Sequence, residues 1–336
     1  MNWDGKSVLV TGAGGFIGSH LTETLVQRGA SVKAMVRYNS ANSHGWLNVS
    51  KYHDAIEFIS GDICDKNLVQ KAMEGCDVVL HLAALIAIPY SYDAPESYVH
   101  SNVEGTLTVL QAGRDAGVSR IVHTSTSEVY GTAQYVPIDE AHPLNAQSPY
   151  AATKIAADQL ALSFQRSFGT PVTVLRPFNT YGPRQSARAV LPSVISQILA
   201  GNTKVSMGAL DPTRDFNFVS DTVAAFLAVA SAPEENVVGD IFNAGTGWEI
   251  SIGDAVKVIA DVTGRDIEIV QKNDRIRPEK SEVERLMAQA DKIKTATDWL
   301  PIYVGKNGFA RGIKETVSWF KEGQNLSQYR TDRNVV

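Results

Sequence analysis

Tyr150 and Lys154 are a pair of side chains that could move a proton. They stand four residues apart in the segment SPYAATK, which places both on one face of a helix. A nearby ammonium group favours the ionised form of a phenol and lowers its pKa from about 10 toward the neutral range. A tyrosinate formed in this way could accept a proton from a bound hydroxyl group. The spacing by itself is a weak signal, so the pair gains meaning only beside a second motif.

That second motif is a glycine triplet near the N-terminus. Gly12, Gly15 and Gly18 follow the apolar run SVLV and open a helical pattern. Glycines after a strand permit a tight turn and let a pyrophosphate approach the amides of the next helix. We therefore predict that residues 12 and 15–18, including Phe16 and Ile17, bind a dinucleotide.

Short β-branched runs alternate with amphipathic helical patterns through the first half of the chain. This alternation indicates an α/β fold with a Rossmann-type, doubly wound parallel sheet. Ligands of such sheets bind at the carboxyl ends of the strands, so the two motifs should converge there. The predicted strands are Ser7–Val10, Ser31–Val36, Ile56–Ser60, Val78–Leu82, Arg120–Thr124 and Val172–Arg176. The predicted helices include Gly18–Gln27, Asn67–Met73, Glu104–Ala116, Ala189–Ala200 and Phe309–Phe320.

A smaller second domain is expected to interrupt this sheet. Beyond Arg176 the pattern loosens into PFNTYGPR, whereas the helix Asp221–Ser231 and the strand Asp240–Ala244 resume it. We expect residues 1–180 and 219–246 to form the nucleotide-binding domain. Residues 181–218 and 247–322 would form a discontinuous C-terminal substrate domain, and residues 323–336 a polar C-terminal arm.

Composition and charge restrict the partners. The 336 residues carry a net charge of −5 without a long basic run, which argues against nucleic acid or an anionic membrane as the main partner. No apolar stretch approaches the roughly 20 residues of a membrane span, and the N-terminus lacks the apolar region of a signal peptide. We predict a cytoplasmic protein with no metal site, in which Cys64 and Cys76 are reduced.

The GxxGxxG spacing together with YxxxK resembles the short-chain dehydrogenase/reductase superfamily, which implies NAD(P) as the cofactor. By this resemblance Tyr150 and Lys154 contact the cofactor as well as the substrate, and Thr126 holds the reacting hydroxyl. The resemblance also assigns Asn102 to holding the active-site helix. The remaining implied cofactor residues lie in GDI, in HLAA and at the end of the sixth strand: Asp62, Ile63, Leu82, Ala83, Ala84 and Pro177.

Arg37 departs from the usual pattern at the end of the second strand. NAD-binding enzymes of this fold commonly place an acidic residue there, where it binds the ribose hydroxyls. The segment VKAMVRYNS places Arg37 at or near that position. A cation would favour the 2′-phosphate of NADP, so we lean toward NADP. The alternative is a solvated surface arginine in a protein that binds NAD.

PFNTYGPR, RDFNFVSDT and DKIKTATDWLP resemble the extended members of the superfamily that act on nucleotide-diphosphate sugars. The resemblance covers residues from about Lys6 to about Phe320. It implies a nucleotide-sugar substrate, with UDP favoured over GDP, held by Asn179, Arg184, Arg214, Asn217 and Arg277. It also implies a homodimer in which the helices Glu104–Ala116 and Tyr150–Phe168 form a four-helix bundle. The second helix carries apolar residues around more of its surface than one sheet can cover: Ile155, Ala156, Leu160 and Leu162.

Glu128, in the segment STSEVYG, separates the candidate reactions. In a 4,6-dehydratase, oxidation at C4 acidifies the C5 proton, and a carboxylate must remove it while the C6 hydroxyl leaves. The resemblance assigns that role to Glu128. Ser127 occupies the position where dTDP-glucose dehydratases carry an aspartic acid, so the proton for the leaving hydroxyl comes either from Glu128 or from a water held by Ser127.

Long segments such as VRYNSANSHGWL and TSTSEVYGTAQYVPIDE are most similar to the UDP-N-acetylglucosamine 4,6-dehydratases of legionaminic acid biosynthesis. We therefore expect 4,6-dehydration of UDP-N-acetylglucosamine. The alternatives are a UDP-hexose 4-epimerase, a UDP-uronate decarboxylase and, least favoured, a non-catalytic NADP-binding sensor.

Overall fold

The computed structural model describes residues 2–272 and 278–329. Within them the strands, labelled β1 to β14 in chain order, are Ser7–Thr11, Ser31–Arg37, Ile56–Gly61, Val78–His81, Arg120–Thr124, Val172–Pro177, Asn179–Tyr181, Lys204–Met207, Thr213–Arg214, Phe216–Phe218, Ile241–Ala244, Ile250–Ser251, Glu268–Gln271 and Arg285–Leu286. The α-helices, α1 to α12, are Phe16–Gln27, Lys66–Met73, Ile88–Asp93, Pro95–Tyr98, Gly105–Ala116, Pro149–Phe168, Val190–Leu199, Val219–Ser231, Glu234–Val237, Ile252–Thr263, Asp291–Thr297 and Gly305–Lys321.

Seven of these strands form one parallel sheet in the order β11-β6-β5-β4-β1-β2-β3. The strand order reverses between β1 and β4, and ligands of sheets with this topology bind at the carboxyl ends of the strands on either side of such a reversal. These seven strands are the ones predicted from the sequence, and their ends differ from the prediction by one residue at most. The Rossmann-type α/β fold is therefore confirmed.

The sheet is buried on both faces, because alternate residues of its strands pack into two separate hydrophobic clusters. Val8, Leu80 and Val122 face one cluster, which helices α1 and α8 cover. Leu9 and Val79 face the other, which helices α2, α5 and α6 cover. Burial on both sides explains why these strands read as nearly continuous apolar runs.

The chain leaves the large sheet after Tyr181 and again after Gly245, and short strands of these two segments pair with each other. β8 pairs with β13, and β9 lies between β12 and β14. Helix α10 was missed by the sequence analysis, although Ser251 caps its first turn and Gly264 ends it in the left-handed conformation. The division into two domains stays a prediction.

Smaller differences concern helix ends and loops. Helix α1 begins at Phe16, two residues before the predicted start, and α12 begins at Gly305 rather than Phe309. A π-helical turn over Val99–Glu104 precedes α5. Cys64 and Cys76 are both free. Among the described residues, no helix is long and apolar enough to cross a membrane.

Candidate active site

The glycine-rich turn between β1 and α1 is shaped by close packing of the backbone. Gly12 has a φ of +69°, and a Cβ there would lie 2.8 Å from the amide nitrogen of Ala83. A Cβ on Gly18 would lie 2.2 Å from the carbonyl oxygen of Gly12. Gly15 is the N-cap of α1 and supplies no side-chain cap, so the first amides of this 12-residue helix point out without a side-chain acceptor. An uncapped helix N-terminus of this kind fits a diphosphate. Phe16 and Ile17 lie in this first turn and are half-buried.

The candidate cofactor residues at the ends of β2, β3 and β4 lie beside this turn. Arg37 is exposed and stands opposite Gly61 in the parallel pair β2–β3. Asp62 follows Gly61, is exposed, and accepts a hydrogen bond from the amide of Cys64. After β4, the amides of Leu82 and Ala83 both donate to the hydroxyl of Thr11. Three further residues were predicted to contact the cofactor. Ile63 and Pro177 are buried, and Ala84 is half-buried.

Asn102 holds the catalytic helix in place. Its side chain is 1% exposed. The amide group donates to the carbonyl of Leu85 at 3.0 Å and to the hydroxyl of Thr153 at 3.1 Å, and its oxygen accepts from the amide of Leu85 at 2.8 Å. Both amide hydrogens are thus used within the protein. Asn102 thus joins α6 to the segment that follows β4, as the role of holding the active-site helix requires, and its contact with the cofactor stays a prediction.

The three residues expected to move the proton come together at the junction of β5 and α6. The hydroxyl of Thr126 forms a hydrogen bond with Tyr150. The ammonium group of Lys154 donates to the carbonyl oxygen of Thr124 at 2.5 Å. Helix α6 begins at Pro149, with Ser148 as its N-cap, so Tyr150 and Lys154 lie on its first two turns. The helix was predicted from their spacing.

Burial, and not Lys154, dominates the acidity of Tyr150. Burial raises the pKa of Tyr150 above its usual value, and the hydrogen bond with Thr126 opposes that rise. Burial also lowers the pKa of Lys154 to about 8. In the protein without its ligands the pKa of Tyr150 therefore stays raised, because both groups lie in a desolvated interior. A further positive charge would be needed to ionise this phenol.

Glu128 presents an unpaired carboxylate beside this phenol. It lies on the 3₁₀ turn Ser127–Tyr130 that follows β5, and its amide donates to the hydroxyl of Thr126. Its charge raises the pKa of Tyr150, so the two groups are close. Within the described residues the Glu128 carboxylate forms no hydrogen bond or ion pair, which leaves it able to accept a proton. Ser127, beside it, is buried.

Two predicted substrate residues are engaged elsewhere. Arg184 forms a bidentate ion pair with Glu23 of α1 at 3.0 and 3.1 Å and donates to the hydroxyl of Ser19. Its guanidinium fastens the loop after β7 to α1. Asn217 is fully buried on β10 and donates to the hydroxyl of Thr222. These contacts use three of the five N–H groups of Arg184 and one N–H group of Asn217, and the amide oxygen of Asn217 has no hydrogen-bond partner among the described residues, so both substrate assignments stay predictions. Asn179 on β7 is half-buried, and its amide oxygen has no hydrogen-bond partner among the described residues.

Arg214 contacts the segment 280–282, which also contacts the residues just before the catalytic helix α6. It is buried and forms an ion pair with Glu282 at 3.1 Å. The side chain of Gln147, three residues before Tyr150, donates to the carbonyls of Lys280 and Glu282. Arg214 is therefore joined to the start of α6 through one short segment. Arg277 lies outside the described residues.

Aromatic residues that the sequence analysis did not single out form one wall of the site. The ring of Tyr98 packs edge-on against Tyr150, with 6.2 Å between centroids. Tyr92 packs in the same cluster and shares a 2.6 Å hydrogen bond with Ser281. No sequence motif indicates these tyrosines, because they contact Tyr150 only when α3 and α4 pack against α6. Among the described residues, no cluster of His, Cys, Asp and Glu has the arrangement of a metal site.

The family model for GDP-mannose 4,6 dehydratase matches residues 9–316, which include the glycine-rich turn, Glu128, Tyr150 and Lys154. The chain belongs to the GDP-mannose 4,6-dehydratase family. Two relatives within the wider group differ in the reaction they catalyse. Human dTDP-D-glucose 4,6-dehydratase is 31% identical over 325 residues, which cover 94% of this chain and 90% of the human protein. UDP-glucose 4-epimerase of Mycolicibacterium smegmatis is 34% identical over 318 residues, covering 93% of this chain and 98% of that protein.

A solved structure of this family has the same fold over almost its whole length. DesIV, a dTDP-glucose 4,6-dehydratase from Streptomyces venezuelae solved with NAD bound, superposes with a TM-score of 0.83 at 29% identity. The match covers 96% of this chain and 99% of DesIV. The chain is thus related to nucleotide-sugar 4,6-dehydratases and to 4-epimerases at about 30% identity.

Proposed function

We propose that this protein is a nucleotide-sugar 4,6-dehydratase that acts on UDP-N-acetylglucosamine and forms the 4-keto-6-deoxy sugar. The observation that carries the proposal is the unpaired Glu128 carboxylate beside Tyr150. A 4-epimerase needs no base at C5, whereas elimination of water requires one. The family model and the dTDP-glucose dehydratase relatives support the same reaction class.

A nicotinamide dinucleotide fits the residues present. The uncapped amides at the start of α1 suit its diphosphate, and the exposed ends of β2 and β3 suit its adenosine. The chemistry that such a group supplies when bound is the removal of hydride at C4 and its return at C6. NAD is bound to the related DesIV, which supports a nicotinamide cofactor here.

The chain's own residues supply the proton transfers. Thr126 holds the C4 hydroxyl, and Tyr150 accepts its proton once a positive charge beside the ring has lowered the cost of the tyrosinate. Lys154, whose ammonium group donates to the carbonyl of Thr124, lies one helical turn beyond Tyr150 on α6. Glu128 then removes the C5 proton, and the C6 hydroxyl leaves as water. Since Ser127 cannot be a strong acid, we assign the proton for this hydroxyl to Glu128 itself or to a water held by Ser127.

The rival activities rest on weaker support. The M. smegmatis relative is a 4-epimerase, and Ser127 lacks the acid that dTDP-glucose dehydratases carry, so 4-epimerisation is the second candidate. A UDP-uronate decarboxylase is third, because the segment from Leu82 to Ser91 offers no evident cation for a uronate carboxylate. A non-catalytic sensor has no need for the assembled Thr126, Tyr150 and Lys154.

Mass spectrometry of the product distinguishes these reactions. With UDP-N-acetylglucosamine we expect a product lighter than the substrate by one water molecule. A product of unchanged mass would show epimerisation, and a product formed only from a UDP-uronate, with loss of carbon dioxide, would show decarboxylation. The likeness of the long segments around Arg37 and Glu128 to legionaminic acid enzymes supports this choice of substrate and pathway, with the cytoplasm as the expected location.

Arg37 is proposed to favour NADP over NAD. Its exposed guanidinium lies at the end of β2, the region that binds the adenosine ribose in this fold, and its charge would attract a 2′-phosphate. Arg37→Asp should weaken NADP binding about 10-fold or more and leave NAD binding within about threefold, because only the phosphate meets the new carboxylate. Isothermal titration with both cofactors measures this. Arg265→Asp, the same charge change at an exposed residue after α10, should alter neither affinity. Equal weakening of both cofactors by Arg37→Asp would place Arg37 away from the 2′-phosphate.

A homodimer formed through α5 and α6 is a further proposal. Ile155, Ala156 and Leu160 are half-buried in the single chain and can contribute to an interface. Leu162 packs into the chain's own core between α6 and the sheet and so does not contribute to an interface. Light scattering at micromolar concentration should give the mass of a dimer. Leu160→Glu should shift it to a monomer, since a charge would enter the apolar seam. A wild-type monomer would rule the dimer out.

A further inference from the structure

We propose that Asp158 is a positioning residue for the catalytic pair: it locks the end of β5 against α6 and is the buried anion that keeps Lys154 charged. The inference rests on the proposed function only in giving Tyr150 and Lys154 their catalytic role. Asp158 lies one helical turn beyond Lys154 and two turns beyond Tyr150, and it is fully buried.

The Asp158 carboxylate is held by three donors. Its Oδ2 accepts from the hydroxyl of Ser125 at 2.8 Å and from the Nη2 and Nε of Arg176 at 2.8 and 3.1 Å. Its Oδ1 lies 3.4 Å from Nε2 of His123, a close contact without a well-formed hydrogen bond. Burial alone would raise the pKa of Asp158, but His123, Arg176 and Ser125 hold it below its usual value. The group is therefore an anion.

Through Ser125, this anion fixes the register between strand and helix. Three consecutive residues at the end of β5 each contact a different residue of α6. Thr124 accepts from Lys154, Ser125 donates to Asp158, and Thr126 bonds to Tyr150. Removing the middle contact would free the strand end to shift relative to the phenol. A small displacement is costly for a proton transfer that depends on hydrogen-bond distance.

Among the described residues, Asp158 is the one anion that raises the pKa of Lys154 and so favours the charged form of the lysine. His81 on β4 and His123 on β5 both lie near Lys154, and burial lowers the pKa of each, so both are neutral. Asp158 raises the pKa of Lys154, whereas burial lowers it to about 8. Loss of Asp158 would therefore neutralise Lys154 near pH 7.

The hydrogen bonds of His81 agree with its neutral state. The hydroxyl of Thr11 accepts from the amides of Leu82 and Ala83, so its own hydrogen is directed to Nδ1 of His81 at 2.8 Å. Nε2 of His81 then donates to the hydroxyl of Thr106 at 3.1 Å. An imidazolium would need an acceptor at Nδ1, where a donor already stands.

The other charged and titratable groups in this region act on different partners. Arg176 on β6 is a cation that shares the Asp158 carboxylate and donates to the hydroxyl of Tyr130. Tyr150 is neutral, because burial raises its pKa. Glu128, on the turn after β5, raises the pKa of Tyr150 by its charge. The charge on Lys154 is thus set chiefly by Asp158 against the cost of burial.

Titration of Lys154 in the cofactor-free protein tests this directly. Carbon-13 NMR of protein labelled at the lysine ε-carbon gives its midpoint, and loss of one signal in Lys154→Met assigns it. The wild type should titrate near 8. Asp158→Asn keeps the size of the side chain and should lower the midpoint by about one unit or more. Asp261→Asn, at an exposed residue of α10, is the matched control and should leave it unchanged. An unshifted midpoint in Asp158→Asn would overturn the electrostatic role.

Arg176→Met separates charge from general damage. It breaks the same buried pair but removes the competing cation, so the Lys154 midpoint should rise while that of Asp158→Asn falls. If the Lys154 midpoint moved in the same direction in both variants, the change would come from loosened packing of the interior and not from the charge that was removed. Because the titration needs neither cofactor nor turnover, failure of UDP-N-acetylglucosamine as a substrate would contradict the proposed function and leave this result standing.

Ser125→Ala decides the geometric role even if the charge variants do not fold. It keeps both buried charges and removes one of the three hydrogen bonds to Asp158. We expect the first oxidation step to slow about 3-fold to 10-fold, with a Lys154 midpoint within a few tenths of wild type. Ser119→Ala, at the opposite end of β5, removes a comparable bond to the carbonyl of Asp77 and should have no effect on either. Wild-type rates in Ser125→Ala would overturn the proposal.

Discussion

Glu128→Gln is expected to stop elimination of water while oxidation at C4 continues. Glutamine keeps the shape of the side chain but cannot accept the C5 proton. Thr126, Tyr150 and Lys154 are untouched, so substrate should still be oxidised. The dehydrated product should form about 10²- to 10⁴-fold more slowly, the usual cost of losing a general base. Stopped-flow absorbance of reduced nicotinamide measures the first step, and mass spectrometry of the product measures the second.

Two further observations make this result specific to the C5 base. Exchange of the C5 proton with deuterated water should fall together with product formation, because both need the same proton transfer. Glu235→Gln, on the exposed helix α9, is the matched control and should behave as wild type. Near wild-type turnover in Glu128→Gln would make Glu128 a bystander, and the 4-epimerase proposal would then gain most.

Tyr150→Phe is expected to abolish the earlier step instead. The phenol hydroxyl bonds to Thr126 and is the proposed acceptor of the C4 hydroxyl proton. Phenylalanine fills the same space against Tyr98 and Ile88, so the fold should survive. Oxidation should fall about 10²- to 10⁴-fold, and no reduced nicotinamide should accumulate. Absorbance after mixing the variant with UDP-N-acetylglucosamine and cofactor measures this loss.

Tyr98→Phe provides the control within the same aromatic cluster. It removes the hydrogen bond from Tyr98 to the carbonyl of Ala87 and leaves Tyr150 intact. Its rate of oxidation should stay within about tenfold of wild type, because it loses one neutral hydrogen bond and no proton acceptor. If both variants lost oxidation equally, the effect would come from packing of the cluster and not from the hydroxyl of Tyr150.

Local patterns in the sequence predicted most of the fold and the proton-transfer pair. The seven strands of the parallel sheet follow from short apolar runs between helical patterns, and the structure confirms each of them. The spacing of Tyr150 and Lys154 predicted their shared helix, and the glycine triplet predicted the turn before α1. These features depend on residues fewer than about ten positions apart, where helical and strand periodicity carries the information.

Only the tertiary structure decided which polar residues are free to meet a ligand. The family resemblance implies that Arg184 and Asn217 bind substrate, and the structure adds that Arg184 pairs with Glu23, 161 positions away, and that Asn217 is buried. Asp158 carried no motif, yet packing places it against Arg176 and Ser125 beneath the catalytic lysine. Contacts between residues that are far apart in the sequence depend on how the helices and loops pack against the sheet. The residue types therefore set which chemistry is possible, and the packing of distant segments set which side chains remain available to perform it.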